Sequence, residues 1–279
     1  ESERRRNHRI GFVPTMGALH EGHLSLVDRC REQSDTVVAS VFVNPTQFSP
    51  HEDFQAYPRD LDHDQRRLAE RGVDVLFAPS TDEMYPERSL VGFQIEGLTD
   101  HLCGPRRPGH FEGVLLVVSK LFHIVRPDVA VFGQKDLQQL IVIRRMVRDL
   151  DLPIEILAGP IVREADGLAL SSRNRYLSPD QREQATVLHR ALRNARGRIE
   201  RGERSSSSVV DAMEAQITEM PDAAIDYVEI VDLQRLQPVD RIDGQIALAL
   251  AVHIGTTRLI DNLVLEVRDD AVREIDAIV

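Results

Sequence analysis

Gly11 to His23 reads G-F-V-P-T-M-G-A-L-H-E-G-H, and the rest of the chain is read from this stretch. It leaves the apolar run Ile10 to Val13, crosses the turn residues Pro14 and Thr15, and ends in two histidines three apart with Gly22 between them. An apolar run, a turn and a helix start make a strand-to-helix junction, where the first helical turn leaves backbone N–H groups unpaired at the positive end of the dipole. Such a junction suits a nucleotide phosphate. Gly22 allows a close approach, and His20 and His23 can donate to phosphate oxygens. The stretch alone also fits two other readings, a pair of metal ligands or ordinary surface histidines. Against the first, no Cys, His or carboxylate cluster with zinc-like spacing lies nearby.

Working outward, short Val-rich runs at Ile10 to Val13, Thr36 to Val43, Val73 to Phe77 and Val129 to Phe132 read as buried parallel strands. Helical patterns separate them at His23 to Gln33, Asp60 to Arg71 and Val114 to Val125. This alternation predicts an α/β fold with a doubly wound parallel sheet, whose ligands sit beyond the carboxyl ends of the strands. Gly17 to His23 and Asn44 to Phe48 both fall at such ends. In V-F-V-N-P-T-Q-F, Pro45 stops the strand and Gln47 offers an amide donor and a carbonyl acceptor, although a solvated Asn-Pro turn has the same letters. Asp62, His63 and Asp64 in D-L-D-H-D read as a solvated helix face, with a magnesium role as the weaker alternative.

From Gly104, G-P-R-R-P-G-H-F-E-G-V sets Arg106, Arg107 and His110 in a loop ahead of a helix, which suits an anion unless the arginines are simply exposed. After Val129 to Phe132 comes G-Q-K-D-L-Q-Q-L, where Lys135 can neutralise phosphate and Asp136 can hold Mg2+ shared with it. A surface Lys-Asp pair that caps a helix is the other reading. Past the strand-like Ile154 to Leu157, Ser171, Ser172 and Arg173 can grip a phosphate through two hydroxyls and a guanidinium. A cap reading of that trio is weakened by the better cap at Ser178, before Pro179.

Composition shifts near Pro160, which sets an expected boundary between residues 1–160 and a smaller α+β domain, 161–279. Asp180 to Arg201 reads as one long amphipathic helix, Arg204 to Ser208 as a Ser-rich linker, and Val209 to Met220 as a second helix. Ile225 to Val231, Ile246 to Val252 and Leu259 to Val267 read as an antiparallel sheet, with Thr256, Thr257 and Arg258 as turn and pairing residues.

The 279 residues are 42% hydrophobic and 28% charged, as in an ordinary globular protein. A formal net charge of -11 argues against general binding to nucleic acid or a membrane surface. Cys30 and Cys103 read as packing residues, which fits a reducing cytoplasm. No apolar run approaches the roughly 18 residues of a membrane span, and no secretory leader is read. The Arg4 to Arg6 cluster reads as solvated. Glu1 is not an initiator methionine, so residues are expected to precede it.

Taken in order, P-T-M-G-A-L-H-E-G-H, V-F-V-N-P-T-Q-F, R-P-G-H-F-E-G-V, F-G-Q-K-D-L-Q-Q-L and R-E-A-D-G-L-A-L-S-S-R-N-R-Y-L resemble the pantothenate synthetase family, AMP-forming pantoate:beta-alanine ligases. H-x-G-H alone would indicate only the wider H-I-G-H nucleotidyltransferase superfamily. The resemblance implies a Rossmann-like amino-terminal domain that binds ATP and pantoate, a carboxy-terminal lid, a homodimer, and no nucleic-acid or membrane partner. It implies that Met16, Gly17, His20, Gly22 and His23 form the first ATP segment, with His23 catalytic, and that Gly133, Lys135 and Asp136 form the second. Val162 then contacts adenine, and Leu170, Ser171, Ser172 and Arg173 form a K-M-S-K-S-like loop. Gln47 and Gln139 would hold pantoate, Gln47 also near beta-alanine; His20, His23, Lys135 and Arg173 would act in catalysis, and Asp136 on Mg2+. Two departures stand out: Gln134 where the family usually has Glu, and Leu137 where it usually has an aromatic. The strand and helix that the family usually carries before G-F-V-P-T are not found. The rival expectations are a plain nucleotidyltransferase of the superfamily, without an amine acceptor, or a degenerate nucleotide-binding module.

Overall fold

In the computed structural model, which describes residues 8–49, 52–269 and 271–278, β1 (Ile10–Thr15) is the middle strand of a five-stranded parallel sheet. The Arg4 to Arg6 cluster lies outside the described residues. β1 pairs with β2 (Thr36–Val41) on one side and β4 (Val129–Gly133) on the other, with β3 (Val75–Phe77) and β5 (Glu155–Gly159) at the edges. The order β3-β2-β1-β4-β5 runs outward in opposite directions from β1 and β4, so a crevice opens at the carboxyl ends of these two strands.

Both faces of the sheet are covered, which is why its strands are apolar without alternation. Val13, Val37 and Ala39 pack with α1 (Glu21–Arg31) and with Leu68 of α2 (Leu61–Glu70). Phe12 and Phe132 pack on the other face with α4 (His110–Val125) and α5 (Leu137–Asp149), Phe12 meeting Phe122 edge to face at 6.4 Å. A short helix α3 (Thr81–Met84) lies between β3 and α4.

The second sheet is antiparallel, in the order β6 (Ala223–Asp232), β7 (Gly244–Ile254), β8 (Thr257–Arg268), β9 (Ala271–Glu274). Along β7 the sequence alternates large and small. Ile246, Leu248, Leu250 and Val252 pack with α7 (Val187–Glu200) and α8 (Ser206–Thr218), while Ala247, Ala249 and Ala251 face the first domain's core. After β9 the chain returns to that core, where Ile278 is buried.

Three expectations are corrected. The long helix is two, α6 (Pro179–Gln184) and α7, because at the junction Thr186 N–H donates to Glu183 O at 3.2 Å and Leu188 N–H to Ala185 O at 3.3 Å, three residues back rather than four, and the Thr186 hydroxyl also donates to the Glu183 carbonyl at 2.8 Å. The Ser-rich stretch is a helix start rather than a linker, since the Ser205 side chain caps α8 and Ser206 is buried. The strand after α1 ends at Val41, before the Asn-Pro turn. Among the described residues no helix is long and apolar enough to cross a membrane.

Candidate active site

The turn after β1 is held by a carboxylate that the sequence reading left in solvent. Gly17 and Ala18 both take left-handed backbone conformations, φ 80° and 51°. Thr15 Oγ1 accepts from Gly17 N–H at 3.2 Å, and Asp64 on α2 accepts from Ala18 N–H at 2.9 Å and Leu19 N–H at 2.8 Å. Asp64 is 1% exposed; its place one turn before Leu68 turns it inward, whereas Asp62 and His63 are exposed as expected. A Cβ on Gly17 would lie 2.7 Å from Asp64 Oδ2, so glycine is needed there for space as well as for φ.

His20 is the N-cap of α1. Its Nδ1 accepts from Gly22 N–H at 3.2 Å, and His23 Nδ1 accepts from His20 N–H at 3.3 Å, a reciprocal capping box built from two histidines. These two N–H groups are therefore satisfied internally, contrary to the expectation that the open helix start faces phosphate. Because both Nδ1 atoms accept, hydrogen bonding assigns each proton to Nε2. Burial, the neighbouring His23, and the Lys135 and Arg67 charges bring His20 down to about 3; burial, Lys135 and Arg67 bring His23 to about 4. Both are neutral Nε2–H donors at neutral pH, with ring centroids 4.0 Å apart. Gly22 leaves room for this cap: a Cβ would sit 2.9 Å from the His20 ring.

At the end of β2, Asn44 is buried rather than solvated. Its Nδ2 donates to Gln47 Oε1 and to Gly113 O, each at 3.1 Å, and its Oδ1 accepts from Tyr85 OH at 2.9 Å. Gln47 Nε2 lies 3.1 Å from Met16 Sδ, so both ends of the amide are oriented. α4 comes so close that a Cβ on Gly113 would lie 2.1 Å from Thr46 O.

At the end of β4, Asp136 occupies the N-cap position of α5 but its side chain makes no capping bond, which removes the helix-capping reading. The Lys135 ammonium makes no hydrogen bond among the described residues, although its backbone carbonyl accepts from Asn262 Nδ2 at 3.0 Å; burial lowers its pKa, opposed by Asp136. The side chain of Gln139, in the first turn of α5, is also without a hydrogen bond among them. The two site arginines are occupied. Arg107 Nε donates to Glu52 Oε1 at 2.7 Å, and Arg173 grips Asp53 through Nε and Nη2 at 3.1 and 2.8 Å. His110, buried beside Arg107, is held down to about 4 by burial and that charge. Arg106 is exposed at the rim and reaches Asp226 at 3.4 Å.

These parts surround one cavity of about 230 Å³. Met16, His20, Gly22 and His23 enter from β1 and α1, and Gln47 from the loop after β2. Gly133, Lys135, Asp136 and Gln139 enter from β4 and α5, and Val162, Leu170 and Arg173 from the segment beyond β5. Ser171 lines an adjoining hollow of about 100 Å³. Gly17 and Ser172 line neither; Gly17 shapes the turn, and Ser172 bonds the Tyr57 hydroxyl. The sequence reading missed an apolar wall of Phe42, Val114, Val117, Val118, Leu121 and Phe132. The run of valines in α4 was its only signal, and it reads equally as core. No group of three or more His, Cys, Asp or Glu placed to hold a metal ion occurs among the described residues.

A family model described as pantoate-beta-alanine ligase matches residues 1–264. The pantothenate synthetase of Moorella thermoacetica is 59% identical over 95% of this chain and 94% of its own length, and that of Heliobacterium modesticaldum 60% over 92% of each. Among solved structures, pantothenate synthetase from Thermus thermophilus is 50% identical, with TM-score 0.89 over 91% of this chain and 92% of that one. The Francisella tularensis pantoate-beta-alanine ligase, complexed with beta-gamma ATP and beta-alanine, is 36% identical, with TM-score 0.76 over 92% of this chain and 90% of that one.

Proposed function

This chain belongs to the pantoate-beta-alanine ligase family, and we propose that the cavity at the ends of β1, β2 and β4 is where it performs that reaction. It is a ligase that forms a C–N bond, condensing pantoate and beta-alanine with ATP as a substrate. In the first step the pantoate carboxylate attacks the α-phosphorus of ATP and pyrophosphate leaves. In the second the beta-alanine amine attacks the acyl carbon of the pantoyl adenylate and AMP leaves.

One observation carries the assignment. The neutral Nε2–H donors of His20 and His23 line the same cavity as the unpaired Lys135, while Gln47, Gln139 and the apolar wall line it too. The first group suits a triphosphate; the second suits a small hydroxy acid bearing two methyl groups. Little covalent chemistry falls to the protein, so positioning and neutralisation of developing charge are its contributions. His20 and His23 donate to phosphate oxygens without protonation, and Lys135 supplies a fixed positive charge. Gln47, already oriented by Asn44, and Gln139 hold the pantoate carboxyl and hydroxyl groups. Arg173 reaches phosphate by exchanging it for Asp53.

Asp136 would hold Mg2+, and its uncapped, exposed carboxylate fits an ion that takes its other ligands from phosphate and water. The ion would supply charge neutralisation on the triphosphate. We assign residues 1–160 to the nucleotide and pantoate half and 161–279 to a lid, supported by the change of sheet. A homodimer is supported by the exposed Val75 on edge strand β3 and the exposed Leu90 and Val91. A cytoplasmic setting is supported by two free cysteines.

The test is pantoate-dependent exchange of pyrophosphate into ATP, together with AMP release. AMP should appear only when both pantoate and beta-alanine are supplied. Lys135→Ala should lower exchange on the order of 100-fold or more, with the thermal midpoint nearly unchanged. Normal exchange in that variant would overturn its role.

A further inference from the structure

Gln134 directly precedes Lys135 and Asp136, is buried, and takes no part in the chemistry above. Its amide is engaged at both its nitrogen and its oxygen with the tail that follows β9. Nε2 donates to Ile275 O at 3.2 Å, and Oε1 accepts from Ile278 N–H at 2.7 Å. The tail thus offers one acceptor and one donor, and an amide answers both. An ionised carboxylate in its place would answer only the donor.

The tail is fastened at other points. Ile275 N–H donates to Val264 O at 2.9 Å, Arg144 Nη2 on α5 donates to Ile278 O at 3.0 Å, and the Ile278 side chain enters the core of the first domain. From β8, Asn262 Nδ2 donates to the carbonyls of Gln134 and Lys135, both at 3.0 Å. The turn Gln134–Asp136 is therefore gripped by the tail through the Gln134 side chain and by β8 through its backbone. The residues that make the first grip, 275–278, lie past residue 264, where the family match ends.

We propose that Gln134 is a positioning residue and that the tail it binds is a brace, which together set the turn carrying Lys135 and Asp136 for the adenylation step. The proposal rests on the reading of Lys135 given above. It predicts a kinetic signature that a merely stabilising tail does not have. Substrates still bind to the other walls of the cavity, while the fixed charge is displaced at the transition state, so kcat falls and KM holds.

The experiment compares three forms of the full enzyme in pantoate-dependent pyrophosphate exchange: Gln134→Glu, Gln134→Met, and a chain ending at Glu274. Each is corrected for folded fraction from its thermal unfolding curve. The expected result is a fall in kcat of about tenfold to a hundredfold, with KM for ATP and for pantoate within about twofold of the parent. Combining Gln134→Glu with the shortened chain should give no further fall, because both lesions cut the same link. If Gln134→Glu does not fold, Gln134→Met and the shortened chain carry the test. An unchanged kcat per folded molecule, whatever the shift in thermal midpoint, overturns the brace, as does a multiplicative loss in the combined form. Lys135→Ala is measured alongside. Full activity in that variant unseats the reading of the site, whereas a dead Lys135→Ala beside normal Gln134 variants unseats the brace alone.

Discussion

Asp64→Ala removes one carboxylate and leaves the N–H groups of Ala18 and Leu19 buried without acceptors. A buried donor deprived of its partner costs about 1 to 3 kcal/mol, so two of them set a range of about 2 to 6 kcal/mol. Water entering the vacated volume satisfies part of this, and we expect a loss of about 3 kcal/mol. For a chain of this size each kcal/mol moves the thermal midpoint by about 2 to 4 °C, giving a fall of about 6 to 12 °C. Asp64→Asn keeps one accepting oxygen and turns an amide N–H toward the other donor, so it should fall between the parent and the alanine variant. The loss also reaches the chemistry. Gly17 and Ala18 are held at positive φ against that carboxylate, and His20 and His23 follow closely in the chain. Relaxation of the turn should lower pyrophosphate exchange on the order of 100-fold. The measurements are thermal unfolding of all three proteins and exchange well below the lowest midpoint. A solvated carboxylate, as D-L-D-H-D reads, would change stability by no more than about 0.5 kcal/mol. A midpoint shift that small in Asp64→Ala would refute the clamp.

Gly113→Ala drives a Cβ toward Thr46 O, and backbone stands on both sides of the contact; it should cost about 1 to 3 kcal/mol and raise KM for pantoate by displacing Gln47, as steady-state kinetics will show. In NMR titrations His20 and His23 should stay neutral Nε2–H tautomers through about pH 6.5, protonating near about 3 and 4. Since these folded-state values lie below the ordinary histidine value, the unfolded chain takes up protons first as pH falls. Their share of stability is complete above about pH 6.5 and is lost as pH drops toward 4 and then 3. Denaturant midpoints at about pH 7 and about pH 5 check this, and an imidazole titrating near its ordinary value of about 6.5 contradicts it.

The parallel sheet was legible because its strands are short valine-rich runs punctuated by turns, and periodicity needs no tertiary information to be seen. The site loops were legible for a related reason, since G-A-L-H-E-G-H, N-P-T-Q and Q-K-D all follow such runs. What the letters did not show was which polar groups turn inward. Asp64 and Asn44 look like solvated residues in any local window, and only packing between α2 and the turn after β1, or between α4 and the turn after β2, gives them their partners. The Ser-rich stretch misled in the opposite direction, because composition suggested a linker where Ser205 is a cap. Residues 275–278 carry no motif at all. Their role depends on a single amide more than a hundred residues away, a separation over which local pattern is silent.

The pairing of Arg107 with Glu52 and of Arg173 with Asp53 means that the site, before any substrate arrives, already contains its own counterions. On the proposed reading, anion binding at Arg173 would be an exchange of one carboxylate for another oxyanion, not the filling of an open positive field, and the same would hold for any anion at Arg107. A stray monovalent anion gains little, because what it would win from the guanidinium it must take from a tethered competitor. A polyphosphate that engages several donors at once would have the added contacts with which to displace a carboxylate. The pairing would then act as a filter on valence, and affinity for simple anions would be a poor guide to affinity for the triphosphate.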